Sequence, residues 1–595
     1  VAKGSDLLFE ALQRSVQQTG ANVSVKRVGC VGMCHRTPLI EVATPGKASA
    51  VYAGLAPEQM GELVSRHFPA QGPLSRALHS VSGAVSGLFR DGPDAVSGYS
   101  LSGRDPAVRS FFEKQVHIAT EHFGRVDPLD LDEFLENDGF TALRSCLTER
   151  TGEEVIQAVE QSGLRGRGGA GFPSGPKWRC VSEQPDPVKY VICNGDEGDP
   201  GAFMDRMLLE SFPFRILEGA AIAAVAVGAH DVIFYIRQEY PLAVERVRAA
   251  IRMCEERGWL GERLMDADYP LRVSVKEGAG AFVCGEETAL IASLEGHRGM
   301  PRLRPPFPAQ SGFKDKPTLI NNVETLAAVS WILRHGPEAY AAYGTATSKG
   351  TKVFALAGKV QRGGLIEVPM GTTIRQIVEE IGGGSRPGHV FKAVQIGGPS
   401  GGCVPARLAD TPVDYDSLRE VGAIMGSGGL VVLDDSDCMV DIARYFLQFT
   451  QNQSCGKCTF CRVGTRRMLD ILERICAGKG HNKDLDELEY LSRWVSQGSL
   501  CGLGKTAPNP VFTTLRYFRD EYAAHLQGRC PAGRCRDLIS YRVSGECTGC
   551  TLCAQHCPVG AIPMTPYEKH EINLELCTRC DSCRQVCPSD AVEVF

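Results

Sequence analysis

Apolar positions recur at helical spacing in residues 153–163, EEVIQAVEQSG, where Val155, Ile156 and Val159 share one face. Residues 219–229, GAAIAAVAVGA, are apolar throughout and stop at His230-Asp231. That run is well short of the ~20 residues a membrane span needs, so it predicts a buried helix. Val188–Cys193 and Val232–Ile236 read as strands between such helices, which predicts one α/β domain over residues 106–345. Ahead of it, a helical pattern from Asp6 to Val16 and short strands at Val23–Val28 and Leu39–Val42 predict a small α/β domain over residues 1–71. The Ser- and Gly-rich stretches SVSGAVSG and DGPDAVSGYSLSG mark residues 72–105 as a linker. Residues 346–435 predict a strand–turn–strand and then the helix IRQIVEEI, capped by Thr372-Thr373, as in a β-grasp-like module. MVDIARYFLQF, TRRMLDILERI and LDELEYLSRWV predict a helical bundle over residues 436–524. A connector, 525–540, leads to a short, repeated tail, 541–595.

A chain of 595 residues is too long for one hydrophobic core and implies roughly three to five domains. The net charge of −6 offers no basic surplus, which argues against nucleic acid as a partner. There is no secretory pattern, and because the chain opens on Val1 it is expected to have lost its true start. Composition adds one strong signal. Most of the 24 cysteines lie beyond residue 450, largely in tight groups. Clustered C-x-x-C in a large chain without a secretory signal points to metal sites in a reducing, cytoplasmic setting rather than to disulfides.

CTGCTLCAQHCP (547–558) and CTRCDSCRQVCP (577–588) each read C-x2-C-x2-C-x3-C-P. This is the pattern for two [4Fe–4S] clusters in which the fourth Cys of each run ligates the other cluster. One cluster then takes Cys547, Cys550, Cys553 and Cys587, the other Cys577, Cys580, Cys583 and Cys557. Paired zinc ribbons are the rival, but zinc seldom uses three cysteines at strict spacing followed by Cys-Pro, twice over. Upstream, SCGKCTFCR supplies Cys455, Cys458 and Cys461, with Cys501 as the fourth thiolate. Four thiolates there suit a third [4Fe–4S] cluster or zinc. The adjacent GLGKT is not a phosphate loop, because Ser499 stands where that motif needs glycine. His525, Cys530 and Cys535 form either a zinc site with an unidentified fourth ligand or an unligated turn. Cys30 and Cys34 are two thiolates where a [2Fe–2S] cluster needs four; either the other pair precedes Val1 or both are unligated.

Residues 166–171, GRGGAG, match the dinucleotide fingerprint formally. A true fingerprint follows a strand and opens a helix. Here a helical pattern precedes it, and the following Phe-Pro-Ser-Gly-Pro is not expected to begin a helix at once. Six glycines within 163–175, with Arg167 and Lys177, instead predict a positively charged surface that a flat, phosphorylated ligand can approach closely. A linker would not be followed by Lys-Trp and a strand. Three more segments join it: Asn194, Asp196, Glu197 and Asp199 after a strand, Glu286 and Glu287 in a second Gly-rich turn, and Asn321, Asn322 and Thr325 at a helix start. Each acidic group alone would read as a solvated loop.

On these four segments the chain resembles the FMN- and NADH-binding flavoprotein subunit of respiratory complex I. It is closer to the longer forms in NAD-linked hydrogenases, formate dehydrogenases and electron-bifurcating complexes. The resemblance implies a multidomain α/β protein: an N-terminal thioredoxin-like domain, an FMN/NADH domain, a β-grasp module, a helical bundle with an iron–sulfur cluster and a bacterial-type ferredoxin tail. It implies that Gly166, Arg167, Gly169, Lys177, Asn194, Asp196, Gly285, Asn321, Asn322 and Thr325 cradle FMN. Phe172, Glu197, Asp199, Glu287 and Phe307 would line the nicotinamide nucleotide site. Asp199 and Arg304 depart from the family's usual Glu and Lys, Cys180 from an aromatic, and Gln453 and Phe460 from Glu and Pro. The implied partners are a small [2Fe–2S] thioredoxin-like subunit, a catalytic redox subunit such as a hydrogenase or formate dehydrogenase, and soluble ferredoxin. The expected function is exchange of electrons between NAD(H), FMN and iron–sulfur clusters, either by simple transfer or by flavin-based bifurcation. A scaffold with structural clusters and a vestigial flavin pocket is the remaining reading.

Overall fold

The computed structural model describes residues 4–47, 49–68, 96, 100–101 and 105–595. The linker 72–105 therefore lies outside the described residues except for Val96, Ser100, Leu101 and Asp105. The chain divides into two compact units, Val1–Glu197 with Phe203–Ala279 and Pro308–Gly384, and Gly198–Ala202 with Gly280–Phe307 and Ser385–Phe595. No helix among the described residues is long and apolar enough to cross a membrane.

In the first unit, α1 (Ser5–Thr19) and α2 (Met60–His67) accompany an antiparallel sheet of β1 (Leu39–Val42), β2 (Ala50–Ala53) and β3 (Ser100–Leu101). Strand β3 pairs with Val51 and Tyr52, so the chain returns to this sheet from within the segment read as a linker. Val23–Val28 is not a strand: it joins no ladder among the described residues, and an extended run without a partner has nowhere to place its backbone hydrogen bonds.

The main sheet holds four parallel strands, β4 (Tyr190–Gly195), β5 (Asp231–Arg237), β6 (Arg272–Gly278) and β7 (Thr318–Asn322), in the order β6-β5-β4-β7. Helix α3 (Gly152–Gln161) opens on a Thr151–Glu154 capping box, as the amphipathic pattern requires. Helix α4 (Ser174–Ser182) begins one residue after Pro173. This corrects the expectation that Phe-Pro-Ser-Gly-Pro delays a helix and that Lys177-Trp178 leads directly into a strand. Prolines are tolerated there because the first-turn N–H groups have no intrahelical partner to lose. Helix α5 (Met204–Ser211) is followed by α6 (Pro213–Val227), whose residues are buried except Val225. Burying its Ile216, Leu217, Ile222 and Val227 side chains stabilises the fold by about 1.5–3 kcal/mol each. A Cβ at Gly219 would run into the Leu326 carbonyl of α8 (Val323–His335), so glycine sets how closely these two helices cross. Helix α7 (Pro241–Glu256) packs along β5 and β6.

Strands β8 (Thr351–Gly358) and β9 (Gly364–Pro369) pair antiparallel in the first unit. The buried Glu367 carboxylate accepts the N–H groups of Ile118, Ala119 and Thr120 at 2.9–3.0 Å and fixes that segment. Thr373 caps its helix as expected, exchanging hydrogen bonds with Gln376, but the helix is π-wound over Gln376–Ile381. In the second unit, β10 (Phe391–Ile396), β11 (Gly402–Pro405) and β12 (Gly429–Asp434) pair antiparallel, with β10 central. There they are followed by α9 (Met439–Asn452), α10 (Thr465–Cys476), α11 (Lys483–Gly498), α12 (Asn509–Tyr517) and α13 (Arg519–Leu526). The tail closes with the antiparallel pair β13 (Tyr541–Val543) and β14 (Val592–Val594).

Candidate functional site

The strand order reverses at β4: β5 and β6 lie on one side and β7 returns to the other. In an open parallel sheet, such a switch point leaves a crevice beyond the carboxyl ends of the two strands. Asn194 stands one residue before the end of β4 there, and Asn321-Asn322 ends β7. Gly166 to Gly171 forms the tip of a closed loop, held by Gly166 N–H to Phe172 O at 2.8 Å and Ser174 N–H to Leu164 O at 2.9 Å. Gly169 and Gly171 have φ of +119° and +64°, a region open to glycine at little cost. The Arg167 N–H donates to Thr325 Oγ1 at 2.8 Å, and a Cβ at Gly168 would press on Asn322 Cβ. Loop and helix start therefore meet directly.

The side chains around this crevice hold one another. Trp178 is fully buried and its Nε1–H donates to Asn321 Oδ1 at 2.9 Å. Lys177 Nζ donates to Ile320 O at 2.6 Å. Asn322 Oδ1 caps α8 through the Glu324 N–H at 2.8 Å, while its Nδ2 donates to Asp205 Oδ2 at 2.6 Å. Glu324 in turn pairs with the fully buried Lys352. Burial pushes Asp205 well up, reinforced by the nearby Glu197 and Glu324 carboxylates.

Arg167 is placed differently from the expected ligand-facing charge. Its guanidinium is 1 % exposed and donates to Thr351 O, Arg165 O, Tyr340 Oη and Lys349 O. It braces the loop from behind, because an always-charged fork that is buried must be surrounded by acceptors. Glu197 is likewise turned inward: it is 3 % exposed and accepts the Asp205 and Arg206 N–H groups at 3.1 Å, capping α5. Asp196 is the opposite case. Its carboxylate is buried, neither oxygen has a hydrogen-bond partner among the described residues, and burial pushes it up to about 7. Phe172 is 57 % exposed.

In the second unit, Asp199 accepts from Ser427 Oγ at 2.9 Å, and its carboxylate lies where a Cβ at Gly398 would stand. Gly285 ends a short turn. Glu286 caps the helix Glu287–Leu294 by accepting the Thr288 and Ala289 N–H groups at 2.9 and 3.0 Å. Arg304 lies 3.8 Å from Glu286 and 3.5 Å from Glu287, and its guanidinium sits 6.0 Å from the half-exposed Phe307 ring. This segment is tied to the cysteine loop of the bundle. Gln453 Oε1 accepts the Phe282 N–H at 3.2 Å, Arg298 donates to Cys455 O at 3.2 Å, and Lys457 donates to Pro301 O at 2.7 Å.

Cys455, Cys458, Cys461 and Cys501 are near neighbours; burial first, then the charges of the other three, pushes Cys461 up to about 11. In the tail, Cys547, Cys550, Cys553 and Cys587 line one cavity. Cys557, Cys577, Cys580 and Cys583 line another. His525, Cys530 and Cys535 gather around a donor that spacing did not reveal, Cys438. All four are buried with ligand atoms within 4.8 Å of one another. Cys438 Sγ lies 3.3 Å from His525 Nε2 and 3.8 Å from Cys535 Sγ, and His525 Nδ1 donates to Glu521 O at 2.7 Å. The only local hint was a lone Cys at the start of an amphipathic helix. In the first unit, Cys30 is exposed and Cys34 half-buried, and a hydrogen bond from Cys34 brings Cys30 down to about 7.

Comparison with known proteins matches four segments of the chain. The Nuo51 FMN-binding domain matches residues 159–331 and the NADH-ubiquinone oxidoreductase-F iron–sulfur binding region residues 441–525. An SLBB domain matches 353–404 and a 4Fe-4S dicluster domain 546–591. The chain is 50% identical to NADP-reducing hydrogenase subunit HndC of Solidesulfovibrio fructosivorans, over 77% of this chain and 94% of that one. It is 44% identical to the F 2 subunit of the NADH-quinone oxidoreductase of Rhizobium meliloti, over 66% and 94%. Among solved structures it resembles an NAD+-reducing [NiFe]-hydrogenase in the H2-reduced state, with TM-score 0.61, 31% identity, and 87% and 81% of the two chains covered.

Proposed function

The chain belongs to the family of FMN-binding flavoprotein subunits that includes the F subunit of NADH-quinone oxidoreductase, and from that premise we propose how its residues serve an oxidoreductase working within a multi-subunit redox complex. The reading rests chiefly on one observation: the switch-point crevice combines a glycine loop, the capped start of α8 and the orphaned Asp196 carboxylate. A flavin mononucleotide fits that donor set. Its hydroxylated chain can donate to a buried acceptor such as Asp196, and glycines admit close approach of a flat or phosphorylated group. We assign Gly166, Gly169, Lys177, Asn194, Asp196, Gly285, Asn321, Asn322 and Thr325 to FMN, with Arg167 bracing the loop. Phe172, Asp199, Glu286, Glu287, Arg304 and Phe307 are assigned to the nicotinamide nucleotide, and Glu197 to holding α5 in place.

When bound, FMN supplies the conversion between the two-electron hydride of a nicotinamide nucleotide and the single electrons that iron–sulfur clusters carry. The protein's part is to orient and to exclude water: Trp178 and Asp205 aim Asn321 and Asn322, and the Phe282–Gln453 and Arg298–Cys455 contacts hold the nucleotide segment against the cluster loop. Three sets of four thiolates suit three [4Fe–4S] clusters. Cys438, His525, Cys530 and Cys535 suit zinc: three thiolates and an imidazole whose second nitrogen is engaged by a carbonyl. Cys30 and Cys34 are half of a [2Fe–2S] donor set. The partners are a small [2Fe–2S] subunit and a catalytic redox subunit. The two-cluster tail favours, as a second reading, bifurcation with ferredoxin as one acceptor.

Anaerobic addition of NADH, and separately NADPH, to the purified chain tests this by flavin absorbance and by EPR of reduced clusters. Bleaching of the flavin with [4Fe–4S] signals is the expected result. Flavin that stays oxidised with both nucleotides would overturn the nucleotide-site assignment.

A further inference from the structure

The two halves of the tail repeat each other closely. The Ser544 N–H donates to Ala591 O at 2.7 Å, and the Asn573 N–H donates to Ala561 O at 2.8 Å. Three residues before each donor stands a buried ring, Tyr541 and His570, 4 % and 1 % exposed. Each lines one cavity: Tyr541 that of Cys557, Cys577, Cys580 and Cys583, and His570 that of Cys547, Cys550, Cys553 and Cys587. The backbone donors to matched thiolates are alike, with the Ala561 N–H to Cys557 Sγ at 3.2 Å and the Ala591 N–H to Cys587 Sγ at 3.3 Å. The rings are not alike. Tyr541 spends its hydroxyl on Asp581 Oδ1 at 2.9 Å. His570 Nδ1 lies 3.7 Å from Cys547 Sγ, and its Nε2 has no hydrogen-bond partner among the described residues. A buried N–H left without an acceptor costs about 1–3 kcal/mol, whereas an unfilled acceptor is tolerated more readily. The proton therefore belongs on Nδ1, pointing at the thiolate.

We propose that His570 is a positioning and tuning residue for one of the two tail clusters, donating Nδ1–H to the Cys547 thiolate and raising that cluster's potential. The proposal rests on the assignment of [4Fe–4S] clusters to the tail. A donor to a ligating sulfur withdraws electron density and favours the reduced cluster, which carries one more negative charge. The cavity around Cys577 is lined by no side-chain N–H among the described residues, and Cys580 Sγ there meets the Ser582 hydroxyl at 3.3 Å instead, so the imidazole donor belongs to one member of the pair.

The test uses the full chain with its clusters loaded, EPR-monitored redox titration, and the variants His570→Phe and His570→Gln. Four-iron signals from the wild-type tail establish the underlying assignment independently; their absence would refute that assignment and the proposal with it. With clusters present, His570→Phe is expected to lower the reduced-to-oxidised ratio of one cluster at least tenfold at a fixed potential, about 59 mV for one electron. The other clusters should not move, and His570→Gln, which keeps an N–H donor, should recover part of the shift. Wild-type protein labelled with 15N-histidine should also show a nitrogen coupling on one reduced cluster, a readout that stands if the Phe variant fails to hold iron. An unchanged titration with full iron content, an equal shift in both tail clusters, or no nitrogen coupling would overturn the proposal.

Discussion

Replacing Glu324 by glutamine asks whether charge holds the start of α8. Glu324 is 2 % exposed and Lys352 0 %. One carboxylate oxygen meets the ammonium, and the other accepts the Val353 N–H at 2.9 Å. The ammonium also donates to Val353 O at 2.8 Å. Desolvating each ion costs several kcal/mol, and their attraction offsets this only while both are present. Removing one partner strands the other, at an expected cost of about 3–5 kcal/mol. In a domain of 150–250 residues each kcal/mol moves Tm by about 2–4 °C, so Glu324→Gln and Lys352→Met should each lower it by about 10 °C. The double variant strands no ion and should unfold at a higher temperature than either single variant. The assay is thermal release of flavin fluorescence, which follows the flavin-holding part of a chain whose whole unfolding is not two-state. Single variants within about 2 °C of the parent, or a double variant whose loss equals the sum of the singles, would refute the reasoning.

Asp196, raised to about 7 by burial, binds its proton more tightly folded than unfolded. The flavin-free protein should therefore lose stability as pH rises from about 4 to 7, and Asp196→Asn should flatten that slope in thermal melts; an unchanged slope would show that the carboxylate is not the cause. Cys438→Ser should lower bound zinc from one equivalent to a fraction of one and bring forward chelator-induced unfolding of the bundle, read by elemental analysis and circular dichroism. Retention of a full equivalent would remove Cys438 from the ligand set. Gly219→Ala should cost about 1–3 kcal/mol by forcing α6 away from the Leu326 carbonyl, and a variant with wild-type Tm would show that the helices re-cross freely.

Local patterning suffices for much of this architecture. The apolar runs at Val188–Cys193 and Val232–Ile236 locate β4 and β5 to within two residues, and the Ala-rich run locates α6. The family resemblance rests on Gly-rich and Cys-rich segments, and the comparisons bear it out. Three features lie beyond such patterns. Helix α4 is hidden because Pro173 and Pro176 look like breakers, although a first turn has no bond for them to break. The inward turn of Arg167 depends on acceptors at Tyr340, Lys349 and Thr351, more than 170 positions away. Cys438 has no spacing relation to His525, since ligation between distant segments leaves no periodic trace.

Cys438 and Cys535 are 97 positions apart in the chain. A cross-link closing a loop of about 100 residues is worth about 4.7 kcal/mol in chain-entropy terms. With zinc bound there as proposed, that gain would come only once residues 525–535 had left the ribosome, and the supply of metal, beside the apolar packing of α9 to α13, would set when the segment from Cys438 to Cys535 became a closed ring.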